Sequence, residues 1–233
     1  MTRVTLHSSE EKRTLEALEY ATPIEIIEWS LETFGPKLCV ATSFFDTVLV
    51  HLATRVNPDV DVIFLDTGFH FPETLATMRT ALVRYQLRLR VVRPEDYAPS
   101  GSVPELWSNG TVSCCEARKV TPLNDAMTEG GFQAWLSGLR RADGQTRAHS
   151  PVIDVDRHDR TKINPLANWD DADVARYIAD HDLIVNPLLK RGYDSIGCWP
   201  CTHPGTGRDG RWSELDKTEC GLHLPAPSAG DVR

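Results

Sequence analysis

The sequence predicts an α/β fold: a mostly parallel sheet flanked by helices. Short apolar runs alternate with amphipathic stretches over residues 37–92, the pattern of parallel βαβ units. Polar segments follow the first two runs directly, at Thr42-Ser43-Phe44-Phe45-Asp46 and at Asp66-Thr67-Gly68. Parallel sheets bind ligands beyond the carboxyl ends of their strands, so the two segments would flank a nucleotide-sized crevice. At 233 residues the chain can bury a sizeable core as one large domain, or as one domain with a short extension.

Residues 9–34 read as two helices, the second opened by Pro23 behind Thr22, a good N-cap. Lys37–Ala41 is a short buried strand, followed by a helix from about Asp46 to Arg55. Asp61–Leu65 is the second strand, about Pro72 to Tyr85 a helix, and Leu87–Val92 the third strand. A loop rich in Pro, Ser and Gly spans Pro94 to Ser113, and Cys114 to Met127 reads as helical. Phe132–Leu136 is another strand, and residues 139–151 are polar and irregular. Val152–Val155 and Lys162–Asn164 form either a small hairpin or the last strand, and a helix runs from Trp169 to about Asp180. Gly and Pro dominate from Asn186 onward, and the last ten residues read as disordered.

Composition excludes several classes. The chain is 41% hydrophobic and 25% charged, as soluble globular proteins are. Its net charge of −8 counts against non-specific nucleic-acid binding, which needs a basic footprint. No stretch approaches the ~20 apolar residues of a membrane span. Met1 to Tyr20 lacks the apolar core of a secretory signal, so a reducing cytoplasm is expected. Basic residues nevertheless gather at Arg118-Lys119, Arg140-Arg141, Arg147 and Arg208/Arg211. They suggest a local cationic pocket for a small anion.

The six cysteines divide unevenly. Cys114 and Cys115 are adjacent, Cys198 and Cys201 form a C-x-x-C pair, and Cys220 stands alone near the end. In a reducing compartment such pairs favour metal or redox chemistry over structural disulfides. Tetrahedral zinc needs its ligand sulfurs within about 4 Å of each other. Adjacent helical residues point ~100° apart, so the separate corners of an iron–sulfur cube suit a Cys-Cys pair better. Spacing thus favours a [4Fe–4S] cluster over structural zinc, with a disulfide as the weaker alternative. Cys39, inside an apolar strand, reads as core packing. Cys220 reads either as an ordinary exposed thiol or as a nucleophile. A thiol of pKa ~8.5 is only slightly ionised at neutral pH. Glu219 would lower the thiolate fraction of Cys220, while pocket Arg and Lys would raise it once the tail docks. His223 shares a face with Cys220 if the segment is helical. Ser43 and Asp46 read equally as helix caps or as ligand contacts, and Gly68 as a turn.

Longer motifs sharpen this picture. They are Leu65-Asp66-Thr67-Gly68, Cys114-Cys115-x3-Lys119-Val120-x-Pro122-Leu123, Gly138-Leu139-Arg140-Arg141, Thr146-Arg147, Asn164-Pro165-Leu166 and Asn186-Pro187-Leu188. Gly192-Tyr193-x-Ser195-Ile196-Gly197-Cys198-x-Pro200-Cys201-Thr202 and Glu219-Cys220-Gly221-Leu222-His223 complete the set. Together they cover roughly residues 38–223, and in them the chain resembles the assimilatory adenylyl-sulfate (APS) reductases of the PAPS/APS reductase family.

The resemblance implies a Rossmann-like fold related to the PP-loop ATP pyrophosphatases. It implies a nucleotide-binding domain over residues 1–205 and a flexible tail over 206–233. Cys114, Cys115, Cys198 and Cys201 would ligate a [4Fe–4S] cluster, and Cys220 would attack the sulfur of APS. AMP then leaves, and thioredoxin releases sulfite from the resulting S-sulfocysteine. Lys119, Arg147, Arg208 and Arg211 would face the phosphosulfate or the cluster–substrate field. Leu65, Thr67 and Gly138 match adenosine-contacting positions, Thr42, Ser43 and Asp46 the loop beside them, and His223 would steer the docked tail. The expected partners are APS and thioredoxin, with neither nucleic acid nor membrane, and a homo-oligomer is left open.

One departure is plain. Where the PP-loop pattern is Ser-Gly-Gly-x-Asp-Ser, this chain has Thr42-Ser43-Phe44-Phe45-Asp46-Thr47. Losing both glycines removes the close backbone approach of a pyrophosphate cradle and argues against ATP pyrophosphatase activity. The rivals are a PAPS reductase, which resembles this chain but lacks the paired cluster cysteines, and a PP-loop tRNA-thiolating enzyme, disfavoured by the acidic balance. A non-enzymatic rival is a zinc scaffold with an incidental tail thiol.

Overall fold

A computed structural model describes residues 9–98, 110–213, 217 and 219–223. Helices α1 (Ser9–Leu18) and α2 (Pro23–Phe34) lead into β1 (Leu38–Thr42). Thr22 caps α2 in a full capping box with Glu25, and Pro23 occupies the first turn, where its missing N–H costs nothing. Then follow α3 (Val48–Val56), β2 (Asp61–Leu65), α4 (Pro72–Arg84) and β3 (Arg88–Val92). Next come α5 (Gly110–Cys115), α6 (Thr121–Glu129) and β4 (Ala134–Ser137). The strands β5 (Ile153–Val155) and β6 (Thr161–Ile163) and the helix α7 (Asp171–Asp180) close the body. Much of the predicted Pro94–Ser113 loop, and the last ten residues, expected from sequence to be disordered, lie outside the described residues.

The six strands form one sheet in the order β3-β2-β1-β4-β6-β5, parallel except for β5. The segment left as hairpin or last strand is both, because β5 and β6 pair antiparallel while β6 also joins β4 in parallel. The predicted strand at Phe132–Leu136 begins two residues later. The amide of Phe132 still bonds to Met127 O, closing the turn that ends α6.

Strand side chains alternate between two layers. Leu38, Val40, Val62, Phe64 and Leu136 join Ile26, Ile27, Val48, Leu52 and Ala81 in the main core. On the other face Cys39, Ile63, Val92 and Trp135 pack with Leu123, Ala126 and Met127 of α6. Cys39 is fully buried in this cluster. None of the described helices is long and apolar enough to cross a membrane.

The order of strand addition reverses between β1 and β4: the chain steps outward from β1 through β2 to β3, then returns to the far side of β1, still parallel to it. This switch point is where open parallel sheets form their ligand crevice. The expected neighbours, the segments after β1 and β2, do lie on adjacent strands. The topological crevice, however, opens between the segment after β1 and Gly138-Leu139-Arg140 after β4.

Candidate active site

The loop after β1 solves the missing-glycine problem with an aromatic residue. Phe44 adopts the left-handed φ of 52° that glycine usually supplies. Its fully buried ring packs edge-on against Phe64, with centroids 5.4 Å apart, which offsets the backbone strain. Asp46 Oδ1 accepts the amide of Val48, the first residue of α3, at 2.9 Å, while Thr47 occupies the N-cap position. Burial pushes the Asp46 carboxyl up, against the Val48 bond and the charge of Arg140. Thr42 Oγ1 accepts the Phe44 amide at 3.3 Å.

The loop after β2 is joined instead to the C-x-x-C segment. Thr67 is fully buried, with its hydroxyl 3.2 Å from Cys198 Sγ. The amide of Trp199 donates to Phe69 O at 2.8 Å, and His70 bridges Cys198 through the backbone. Leu65 presents its carbonyl to the His70 ring at 2.7 Å. Cys198 and Cys201 are held by a tight turn: Cys201 N–H donates to Cys198 O at 2.9 Å, and the Thr202 hydroxyl donates to the same oxygen at 2.9 Å.

The second pair sits where α5 gives way to a π turn over Glu116–Val120, before α6 continues the helix. Pro122 supplies the cause: it has no N–H for the ladder, and its ring needs a widened turn. The Thr121 amide accordingly reaches back five residues to Glu116 O. Such π turns recur at functional sites.

Cys114, Cys115, Cys198 and Cys201 line one small cavity, together with Lys119, Arg211, Phe69 and Trp212. None of the six cysteines is in a disulfide. Among the described residues no three His, Cys, Asp or Glu side chains converge on a single-ion position. Lys217 donates to Cys115 Sγ at 2.9 Å. The guanidinium of Arg211 lies 4.3 Å from the Trp212 ring centroid and packs against Gly197, where any side chain would collide with it. Arg211 Nε is buried and has no acceptor among the described residues.

Cys220 is not the exposed thiol that an isolated tail cysteine suggests. It is 7% exposed and packs with Cys201 and Trp212, while Leu222 reaches the apolar cluster around Trp135. The Cys220 thiol is held well below the ordinary range, first by a hydrogen bond from Cys115. Burial works against this, and Lys119, the Leu222 amide and Arg211 reinforce it. Burial also works to lower Lys119, but the sulfurs of Cys198, Cys220 and Cys115 outweigh it and push its pKa up.

Arg147 and Arg208, expected at the phosphosulfate or in the cluster–substrate field, both donate to Glu219. Arg147 donates to that carboxylate through Nε at 2.8 Å and Nη2 at 2.9 Å, and Arg208 Nη2 does so at 2.9 Å. Burial tends to raise the Glu219 carboxyl, yet the Arg147 bonds and the two guanidinium charges hold it below the carboxylate range. Glu219 therefore stays charged with two guanidinium groups against it, which offset the effect on the neighbouring thiol expected from local sequence. Burial and the charge of Arg147 lower Arg208 to about 10. The His223 side chain lies outside the described residues, and Gly138 sits at the β1/β4 crevice. Sequence reading missed Asp143, which pairs with both Arg140 (2.8 Å) and Arg147 (3.0 Å). It also missed Lys217. For Asp143 the only local signal was its place three residues after Arg140, and for Lys217 there was none.

The mostly parallel six-stranded sheet with its flanking helices defines an α/β fold of the PP-loop type. FMN adenylyltransferase from Candida glabrata has the same fold (TM-score 0.59, 14% identity, 94% of this chain and 80% of that one). NAD synthetase from Campylobacter jejuni shares it as well (TM-score 0.51, 10% identity, 77% and 78% covered). Within that class the chain belongs to the family of the phosphoadenosine phosphosulfate reductase domain, whose model matches residues 37–204. A solved phosphoadenylyl-sulfate reductase from Candida auris, in a phosphate complex, is 33% identical with a TM-score of 0.72, covering 84% of this chain and 98% of its own. Among curated proteins, adenosine 5'-phosphosulfate reductase of Streptomyces coelicolor is 41% identical, covering 91% of this chain and 92% of the relative. The Mycobacterium tuberculosis protein of the same name is 42% identical, covering 88% and 90%.

Proposed function

We propose that the protein reduces adenosine 5'-phosphosulfate to sulfite and AMP in sulfate assimilation, with Cys220 as the nucleophile and thioredoxin as the reductant. The observation that carries this reading is the docking of Cys220 against a cavity lined by four further cysteines and by the cations Arg118, Lys119 and Arg211. Relatives matched over about nine-tenths of the chain are oxidoreductases acting on this sulfur group.

The Cys220 thiolate forms a bond to the sulfur of the phosphosulfate. The bond from that sulfur to the bridging oxygen breaks, and AMP departs with the electron pair. A thioredoxin thiolate then attacks Cys220 Sγ, and sulfite leaves with the bonding pair. The second thioredoxin thiol resolves the mixed disulfide, restoring the Cys220 thiol and leaving thioredoxin oxidised by two electrons. Lys119 and Arg211 flank this position and favour both the thiolate and the anionic oxygens. Thr42, Ser43, Asp46 and Gly138 line the crevice proposed for the nucleotide, with Leu65 and Thr67 on the adjacent strand end.

Cys114, Cys115, Cys198 and Cys201 would hold a [4Fe–4S] cluster, and the donor set fits. Four thiols line one cavity, cations surround them, and the buried Arg211 Nε lacks an acceptor that an anionic cluster would provide. When bound, the cluster supplies a fixed electrostatic centre beside the substrate. With Cys115 committed as a ligand, Lys119, Arg211 and the Leu222 amide still favour the Cys220 thiolate.

Purified without oxygen, the protein is expected to carry about four irons and matching sulfide per chain. Stoichiometric zinc without sulfide would contradict the cluster. The paired cysteines and the curated relatives predict a higher kcat/KM for APS than for its 3'-phosphorylated analogue, measured by sulfite release with thioredoxin. The reverse preference would overturn the substrate assignment.

A further inference from the structure

Glu219 takes no part in the chemistry above, yet it is buried, at 7% exposure. Both of its oxygens are engaged. Oε2 accepts Arg147 Nε, while Oε1 accepts Arg147 Nη2, Arg208 Nη2 and, at 2.8 Å, the backbone amide of Cys220. A forked guanidinium on a carboxylate fixes orientation as well as distance.

The clamp is itself anchored. Asp143 holds Arg147 Nη1 at 3.0 Å and Arg140 at 2.8 Å, and Arg140 reaches Asp171 at the start of α7 at 2.9 Å. On the other side of Cys220, Leu222 enters the apolar cluster of Trp135, and Gly221 lies so close to Val120 that an added Cβ would sit 3.0 Å from its Cγ2. Cys220 is thus fixed by an ionic anchor one residue before it and an apolar anchor two residues after it. The apolar contact sets how deep the tail lies. The bond from the Cys220 amide to Glu219 sets the direction in which that residue leaves the chain.

We propose that Glu219 is a positioning residue: clamped by Arg147 and Arg208, it sets the register in which the tail presents Cys220 to the substrate. The inference rests on the reading of Cys220 as the attacking thiol. Mere fold stabilisation would make the loss of this charge lower stability without slowing sulfonate transfer in the molecules that remain folded. Register control requires the charge and the length of this side chain.

The test compares Glu219→Gln and Glu219→Asp with the unaltered, anaerobically purified protein. Without substrate, iodoacetamide should modify Cys220 about tenfold faster or more in Glu219→Gln, because a charge-assisted anchor is lost. The rate is read by peptide mass mapping. With APS and no reductant, transfer of the sulfonate to Cys220 should slow about a hundredfold, as a displaced reacting group predicts. AMP affinity should stay within about twofold, and Glu219→Asp should recover part of the transfer rate. Unchanged alkylation and transfer in Glu219→Gln would overturn the proposal. So would a fall in AMP affinity that matches the loss of rate, since that marks a damaged site rather than a displaced thiol. If the unaltered protein takes up no sulfonate on Cys220 while Glu219→Gln still exposes it, the reading of Cys220 falls and the anchoring role of Glu219 stands.

Discussion

Cys220→Ser is expected to abolish sulfite release, by about 10⁴-fold or more, while APS and AMP still bind. A hydroxyl in place of the thiol keeps nearly the same volume against Cys201 and Trp212, so the docked tail has little reason to rearrange. What disappears is the proposed acceptor of the sulfonate, a thiol beside the cavity that is outside the proposed ligand set. Serine is not ionised near neutral pH, and the cations that favour a thiolate cannot make it so. Turnover is read by sulfite release with thioredoxin, and binding by equilibrium titration with AMP. Turnover retained at a tenth of the normal rate or above would remove Cys220 from the mechanism.

The second large effect is expected at Lys119. Lys119→Met preserves the length of the side chain within the cavity but removes the charge facing Cys115, Cys198 and Cys220. The proposed transition state spreads negative charge over the sulfonate and the departing phosphate. Removing one preorganised donor from such a site typically costs about 10²–10³ in rate. The loss should fall on sulfonate transfer and leave AMP affinity nearly unchanged, because the crevice proposed for the nucleotide is at the β1/β4 switch point. A kcat/KM within threefold of normal would show that Lys119 does not face the reacting atoms.

The strands were legible because each writes its own pattern. The apolar runs at Lys37–Ala41 and Asp61–Leu65 need no partner to be recognised, and Thr22 with Glu25 announces a helix start. Strand order carries no such local mark, so the crevice was placed beside β2, whereas the reversal falls between β1 and β4. Phe44 shows a different limit. A left-handed turn is expected from glycine, and here a buried aromatic ring stabilises the same backbone, a tertiary compensation invisible in the sequence.

The cysteine pairs were legible in the site because their spacing is local. Their meeting was not, since Cys115 and Cys198 come together through a π turn, a C-x-x-C turn and the loop after β2. Gly and Pro dominate the sequence from Asn186 onward, yet within that segment Arg211 bridges Thr202, Trp212 is 3% exposed, and Glu219 finds Arg147 from 72 positions away. Ion pairs of that range leave no trace in a sequence window.

Cysteine S-sulfonation is the central claim, and it is open to direct observation. The anaerobically purified protein is incubated with APS in the absence of thioredoxin and analysed by intact and peptide mass spectrometry. The expected result is the gain of one SO3 group per chain on the peptide carrying Cys220, with one AMP released, and its loss on adding reduced thioredoxin. AMP and sulfite released without any gain of mass on Cys220, or the gain appearing on another cysteine, would contradict the account.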